Sequence, residues 1–312
     1  MVTFLVWVGV VFFLINLPIG LFAIFSARLI PESRSEEQPS LDWAGVLLVC
    51  IALSLLLLPL IKGPEAGWPS WTLLSLAAAA MMLILFYRQQ EKSRLSGKLP
   101  LVDMQLLSQK RFALGTVLVL LVYFTSSSFF LSFALMMQTG FGIDPFIAGS
   151  IFAPCSIGFV FASLVTPKLI VRCGERMIGV GALIYAVSIG VLILQVYEAG
   201  ADLIPTHLIP VLFIVGFGQG AIMTPLLNLV LGFVKEKQAG MASGVVSTVQ
   251  QLGAAFGVAV IGILFSTALS TSNESIELAN QYSSAFVIGM LYNFVAAVIV
   301  CFLLMKLVPA KQ

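Results

Sequence analysis

Residues 43–61 read WAGVLLVCIALSLLLLPLI, a run of nineteen positions without a charged side chain. A helix of about 20 apolar residues is long enough to cross the hydrocarbon core of a bilayer. A transmembrane strand would alternate apolar and polar residues over about ten positions, and this run does not alternate. The run therefore predicts a membrane-spanning helix, in which the backbone polar groups bond to one another because lipid offers them no partner.

Apolar runs of similar length recur along the whole chain. Hydrophobic residues make up 60% of the 312 positions and charged residues only 10%, whereas a soluble domain is about 45–50% apolar and about 25% charged. The predicted fold class is therefore an all-α membrane protein, a polytopic bundle of about nine transmembrane helices. The other eight runs lie near 4–26, 70–87, 112–136, 146–167, 177–197, 208–232, 241–267 and 284–305.

The positive charges predict how these helices are oriented, since loops on the cytoplasmic side are enriched in lysine and arginine. If the N-terminus lies outside, fifteen of the sixteen basic residues fall in inside loops, and only Lys62 lies outside. This distribution predicts a multi-pass protein of the cell membrane, a bacterial inner membrane, with the C-terminus in the cytoplasm. The lipid bilayer is the expected partner, and a net charge of +2 gives no reason to expect nucleic acid.

Residues that could carry catalytic chemistry are sparse. The single histidine, His207, lies at the predicted outer edge of the membrane, and the four cysteines lack the spacing of metal ligands. We therefore expect no metal, no cofactor and no enzymatic activity, because nucleophilic catalysis needs a base beside the nucleophile. No predicted span has a charge at its centre, so any proton relay built on an intramembrane carboxylate must lie elsewhere.

Uncharged polar side chains within the spans predict a water-accessible cavity. They are costly when they face lipid and satisfied when they face a cavity or a neighbouring helix. Hydrogen bonding between helices is the alternative for each of them, while nearby aromatic and methionine side chains would make a cavity apolar and adaptable. The candidate cavity residues are Gln219, Met223, Asn228, Gln250, Gln251, Tyr123 and Phe130.

Residues 216–220 read GFGQG and have a superficial likeness to a dinucleotide-binding loop. A genuine loop of that kind follows a strand and is followed by a ribose-binding acid, and neither is predicted here. Inside an apolar helix, small residues instead let neighbouring helices approach closely. Gly216 and Gly220 are four positions apart, and so are Gly253 and Gly257. The sequence therefore favours close helix packing at both pairs.

Three segments together resemble the fourteen-helix drug:proton antiporter branch of the major facilitator superfamily. Residues 12–20, FFLINLPIG, are similar to a motif in the sixth helix of that family. The second segment comprises residues 216–225 with 238–244, and the third is 250–259, QQLGAAFGVA. The positions that carry the family's structural motifs are Asn16, Pro18, Gly20, Gly253 and Gly257.

The resemblance implies the C-terminal part of a major facilitator fold that lacks the first five helices. Residues 1–30 would be the last helix of the N-terminal half, 31–111 two inserted linker helices and a basic cytoplasmic loop, and 112–312 the six-helix C-terminal half. It further implies proton-coupled export of hydrophobic or cationic drugs and related compounds, with a small hydrophobic substrate and protons as partners. The alternative is a truncated, non-transporting or partner-dependent membrane module, with another polypeptide supplying the missing helices.

A degenerate loop motif is similar to the superfamily's glycine-x-leucine-x-aspartate-arginine-x-glycine-arginine pattern. Leu169, Arg172, Gly174 and Arg176 fit it, whereas Pro167 stands at the place of its first glycine. The resemblance implies a cytoplasmic gate at this loop, steadied by the two arginines.

Overall fold

The computed structural model describes residues 14, 16–27, 42–96, 100–235, 238–270 and 278–307. They divide into two compact units, Met1–Leu41 and Asp42–Gln312. In the first unit the described element is a helix, α1, Asn16–Ala27. About half of the predicted span near 4–26 thus lies outside the described residues.

The second unit consists of helices, and no strand occurs among its described residues. Eight stretches in it are long and apolar enough to cross a membrane, and they coincide with eight of the predicted spans. The helices are α2 Trp43–Ala66, α3 Ser70–Leu95, α4 Met104–Ser108, α5 Lys110–Leu135, α6 Pro145–Cys173, α7 Arg176–Ala199, α8 Ile209–Gly232, α9 Ala239–Ser270 and α10 Leu278–Leu307; a π-helical turn, Met136–Gly140, follows α5.

Capping residues determine where several of these helices begin and end. The Asp42 carboxylate accepts a hydrogen bond of 3.0 Å from the Gly45 N–H at the start of α2, and Gly67 ends that helix in the left-handed region at φ 69°. Asp144 caps α6, whose first residue is Pro145. These are the residue types that favour helix boundaries, because they satisfy free N–H groups or adopt backbone angles that other residues avoid.

Helix α3 is longer than the sequence predicts. The apolar run near 70–87 ends at the first basic residues, but the helix continues to Leu95. The Gln89 and Gln90 side-chain amides donate hydrogen bonds of 2.9 Å and 2.8 Å to the Asp42 carboxylate. The last turns of α3 therefore rest against the start of α2, and the predicted basic loop is shorter than expected.

The helices from α5 through α10 pack in pairs and form one bundle. α6 packs on α8, α8 on α7, α7 on α10, α10 on α5 and α5 on α9, while α2 packs on both α3 and α9. Large side chains such as Phe112, Phe129 and Phe286 are fully buried between these helices. On α2 and α3 the apolar residues Leu47 and Leu74 are exposed, as expected for helices that face lipid.

Helices approach each other closely at several glycines. Gly216 and Gly220 lie against the backbone of α6, and a Cβ added at either position would overlap carbonyl oxygens of that helix. Gly253 and Gly257 lie in the same way against the carbonyl oxygens of α5. This geometry is that of small residues between transmembrane helices, and the GFGQG run lies within a helix rather than in a nucleotide-binding loop.

Candidate functional site

A cavity of about 470 Å³ lies among α5, α6, α8 and α9, and we call it the central cavity. Its walls are mostly apolar, and no charged residue lines it. Within the described part of the chain, no group of histidine, cysteine and carboxylate side chains could hold a metal ion. The lining residues are Tyr123, Ser126, Ser127, Phe129 and Phe130 of α5; Phe152, Cys155, Ser156, Phe159 and Val160 of α6; Gln219 and Met223 of α8; and Ala254 of α9.

Phe152 is the centre of an aromatic wall in this cavity. Its ring centroid lies 5.8 Å from that of Phe129 and 5.4 Å from that of Phe133, and it meets Phe130 edge-to-face at 5.5 Å and 86°. Such pairs add about 0.5–1.5 kcal/mol each beyond area burial. Phe130 is 61% exposed, so a bound small molecule could contact this part of the wall. The flexible side chain of Met223 can adapt to the shape of such a molecule.

Tyr123 is the first polar group of the cavity, and a neighbour orients its hydroxyl. Gln250 Nε2 on α9 donates a 2.9 Å hydrogen bond to Tyr123 Oη on α5. Because the hydroxyl oxygen accepts from Gln250, its own proton remains to be donated to another group. Gln250 thus lies next to the cavity and acts on it through Tyr123.

Gln219 is the second polar group, and it is 8% exposed. Its Nε2 makes no hydrogen bond of acceptable geometry with the described residues, and neither does the Tyr185 hydroxyl, although the two side chains lie within hydrogen-bonding reach of each other. A buried donor without a partner costs about 1–3 kcal/mol. Nε2 is fully buried, so Gln219 contributes to the wall of the central cavity without exposing this donor to it.

The remaining predicted cavity residues lie elsewhere. Asn228 lines a separate cavity of about 320 Å³ with Pro167 and Glu175, among α6, α7 and α8. Gln251 is exposed on α9, on a different side of the helix from Gln250. The structure therefore brings Tyr123, Phe130, Gln219 and Met223 together, with Gln250 behind them.

The loop motif spans the junction of α6 and α7. Gly174 ends α6 with φ 83° and ψ 175°, a combination that is essentially restricted to glycine. Leu169 is partly buried and Arg172 exposed on the last turns of α6. Arg176 begins α7 and lines a groove between α7 and α10, so it lies apart from the helices of the central cavity.

The other family motif, Asn16 with Pro18 and Gly20, lies in the first turns of α1. Pro18 and Gly20 are exposed. This helix belongs to the first unit, and the role of its motif stays a prediction.

The sequence prediction missed the whole contribution of α6 to the central cavity. A signal was present, since the lining residues recur at i, i+3, i+4, i+7 and i+8, the spacing of one helix face. That spacing is common in any buried helix, and it gained meaning only once α6 was seen beside α5 and α8. The residues are Phe152, Cys155, Ser156, Phe159 and Val160.

Comparison with known proteins gives the family. The family model described as Major Facilitator Superfamily matches residues 1–258 and 115–312. The chain belongs to the major facilitator superfamily. This finding confirms the resemblance to the superfamily and, with the eight apolar helices, the all-α, multi-pass membrane fold.

Several curated relatives of this superfamily chain are named as transporters, efflux pumps or export proteins. A probable actinorhodin transporter of Streptomyces coelicolor is 35% identical over 256 residues, which cover 81% of this chain and 44% of that protein. The drug efflux pump JefA of Mycobacterium tuberculosis is 31% identical over 294 residues, which cover 90% of this chain and 55% of that protein. The cephamycin export protein CmcT of Amycolatopsis lactamdurans is 31% identical over 293 residues, covering 91% and 58%. The chain spans about half the length of these relatives.

Proposed function

We propose that this chain forms the C-terminal part of a secondary transporter that exports small hydrophobic or cationic compounds. The central cavity is the observation that carries this proposal. It combines an aromatic wall around Phe152 with the hydroxyl of Tyr123 and the buried amide side chain of Gln219. Small-molecule sites have this composition, with a mostly apolar lining and a few polar groups that fix the orientation of the ligand.

The absence of charged residues from the lining suggests how substrates are selected. An apolar compound gains about 25 cal/mol for each Å² of apolar surface that it buries, and a cation can in addition lie over an aromatic face such as that of Phe130. Without a fixed charge, the cavity selects by size, shape and hydrophobicity. This agrees with the names of relatives that export chemically different drugs and antibiotics.

We further propose that the carboxylates that carry protons lie outside this cavity, because none lines it. Substrate would bind between two halves of the whole transporter near the middle of the membrane, and rocking would alternate its access to the two sides. The positive-inside distribution favours a bacterial inner membrane with the C-terminus in the cytoplasm. The second candidate is a partner-dependent module, in which another polypeptide completes the cavity.

Dye efflux by a bacterial strain that lacks its own exporters tests the proposal. The native gene is expressed, and accumulation of the hydrophobic cation ethidium is followed with and without a protonophore. We expect less accumulation than in cells with empty vector, and loss of this effect with the protonophore. Gln219→Ala should raise accumulation towards the control level, because it removes a polar side chain from the wall of the central cavity.

The matched control is Gln195→Ala. Gln195 is a partly buried amide on α7 whose Oε1 also makes no hydrogen bond, but it lines an outer groove between α7 and α8. Efflux unaffected by Gln219→Ala, or lost equally with Gln195→Ala, would contradict the role of the central cavity. If the native gene gives no efflux until a second polypeptide is co-expressed, the partner-dependent module is correct.

A further inference from the structure

A groove of about 450 Å³ runs between α7 and α10, two helices that do not line the central cavity. Gly179 and Leu183 form its α7 side, and Cys301 and Met305 its α10 side. The walls are predominantly apolar, and Leu183 and Met305 are exposed. In a bilayer this groove therefore opens towards the acyl chains.

The two helices that form the groove run antiparallel. Cys301 Sγ lies 4.0 Å from the Gly179 carbonyl oxygen near one end. At the opposite end the Ser283 hydroxyl donates a 3.2 Å hydrogen bond to the Gly200 carbonyl oxygen. The start of α7 and the last turn of α10 consequently meet at the same end of the groove, which the positive-inside rule places in the cytoplasm.

This end of the groove carries positive charge. Arg176, the first residue of α7, lines the groove and is exposed. Lys306 lies in the last turn of α10 at the same end but does not line the groove, and its Nζ is 4.6 Å from the centroid of the Phe302 ring. Among the described residues, the one ion pair joins Arg94 and Glu91, so Arg176 has no carboxylate partner in that part of the chain.

The acidic residue next to Arg176 in the sequence lines a different cavity. Glu175 precedes Arg176 in the sequence but lines the separate cavity among α6, α7 and α8, together with Asn228. The groove is therefore apolar along its length and positively charged at its cytoplasmic end, which we call its basic mouth. No described acidic residue pairs with Arg176 there.

We propose that the α7–α10 groove binds an anionic phospholipid. The phosphate would lie against Arg176, with Lys306 adding positive charge at the same end, and an acyl chain would follow the groove past Gly179 and Leu183. Arginine suits this task because its fork of N–H donors matches phosphate oxygens. Basic pockets between transmembrane helices on the cytoplasmic side hold anionic head groups in this way. The site goes beyond the transport proposal, since it requires no turnover.

Native mass spectrometry of the whole purified protein tests the site. The protein is incubated with equal amounts of phosphatidylglycerol and phosphatidylcholine that have the same acyl chains, and the retained lipid is counted per protein. We expect phosphatidylglycerol to be retained preferentially. Arg176→Gln should lower that preference by about fivefold, since one basic residue near an anionic lipid contributes about 1 kcal/mol.

Two further variants separate this site from general electrostatic attraction. Arg172→Gln removes an exposed arginine at the same end of the bundle that does not line the groove, and it should keep the wild-type preference. Gly179→Leu fills the groove, and an added Cβ there meets no atom within 4 Å, so the variant should fold. It should lower phosphatidylglycerol retention although Arg176 is intact.

Three outcomes would overturn the proposal. Equal losses of phosphatidylglycerol preference with Arg176→Gln and Arg172→Gln would show that any surface arginine can attract the lipid. Unchanged retention in Gly179→Leu would show that the groove holds no acyl chain. Displacement of the lipid by inorganic phosphate at equal concentration would show that the mouth alone binds an anion.

Discussion

Gln250 Nε2 and Tyr123 Oη are joined by a hydrogen bond of 2.9 Å that connects α9 to α5 beside the central cavity. Both residues are partly buried. The bond fixes the direction of the Tyr123 hydroxyl, and it thereby gives a residue outside the cavity an influence on what the cavity binds.

Gln250→Ala should weaken substrate binding because it frees the Tyr123 hydroxyl to rotate. One hydrogen bond contributes about 0.5–1.5 kcal/mol, so the apparent affinity for an exported dye should fall by about two- to tenfold. Binding to the purified protein measures this. Gln251→Ala alters the neighbouring exposed amide and should leave the affinity unchanged. If the two variants behave alike, the hydrogen bond has no part in binding.

Tyr123→Phe provides an independent test of the same contact. It should lower the affinity about as much as Gln250→Ala. The double variant should bind the dye no more weakly than whichever single variant has the lower affinity. That non-additivity is expected for two residues that act through one interaction. Additive losses would mean that Gln250 and Tyr123 act separately.

Gly253→Ala should destabilise the packing of α9 on α5. The new Cβ would lie 2.5 Å from the Leu120 carbonyl oxygen, and overpacking of this kind costs about 1–3 kcal/mol. The thermal unfolding midpoint of the detergent-solubilised protein should fall. Gly244→Ala on the same helix is the control, since its Cβ would meet no atom within 4 Å; an equal fall in both variants would exclude a packing effect.

Asp42→Ala should loosen the start of α2 from the end of α3. Asp42 accepts hydrogen bonds from the Gly45 N–H and from the amides of Gln89 and Gln90, and loss of an N-cap alone costs about 0.5–2 kcal/mol. The unfolding midpoint should fall further than with Asp144→Ala, which removes an exposed N-cap of α6. Equal effects would mean that the contacts with α3 contribute nothing.

The same carboxylate predicts a pH dependence. Burial raises the pKa of Asp42, but hydrogen bonds from Gly45, Gln90, Gln89 and Leu101 outweigh it and hold the pKa below the ordinary value of 3.8. A depressed pKa means that the stabilisation is present above the unfolded value and is lost as the pH falls through the folded value. The difference in midpoint between wild type and Asp42→Ala should therefore be constant from about pH 5 to 8 and shrink under stronger acid. A difference that varies between neutral pH and pH 5 would contradict this assignment.

Gly174→Ala should destabilise the junction of α6 and α7, because φ 83° with ψ 175° is strained for any residue with a Cβ. The cost of such strain is about 1–3 kcal/mol, and the unfolding midpoint reports it. Gly149→Ala in the first turns of α6 is the control, since a Cβ there meets no atom within 4 Å. It should leave the midpoint unchanged or raise it slightly, and a matching fall would rule out backbone strain at Gly174.

Most of the helices could be predicted from the sequence because lipid imposes a simple rule. A run such as 43–61 can cross a bilayer only as a helix, so composition and length suffice. The end of α3 at Leu95 could not be predicted in this way. It depends on contacts of Gln89 and Gln90 with Asp42, which is distant in the sequence.

The cavity was harder to predict because polarity shows that a residue avoids lipid but not which neighbour it faces. Gln219 and Met223 lie in the central cavity, whereas Asn228 on the same helix faces another one. Gln250 and Gln251 are adjacent in sequence and point to different sides of α9. Only the packing order of the helices decides between such positions, and hydrophobicity does not encode that order.

Photo-crosslinking of a hydrophobic cation to the purified protein tests the central claim most directly. A photoreactive analogue of an exported dye is irradiated with the protein, and the labelled residues are identified by mass spectrometry. We predict labels on the cavity-lining parts of α5, α6 and α8, around Phe130, Phe152 and Met223, that an excess of the unlabelled dye suppresses. Labels confined to α2 and α3 or to the α7–α10 groove, or labels that the dye does not suppress, would contradict the assignment of the central cavity as the substrate site.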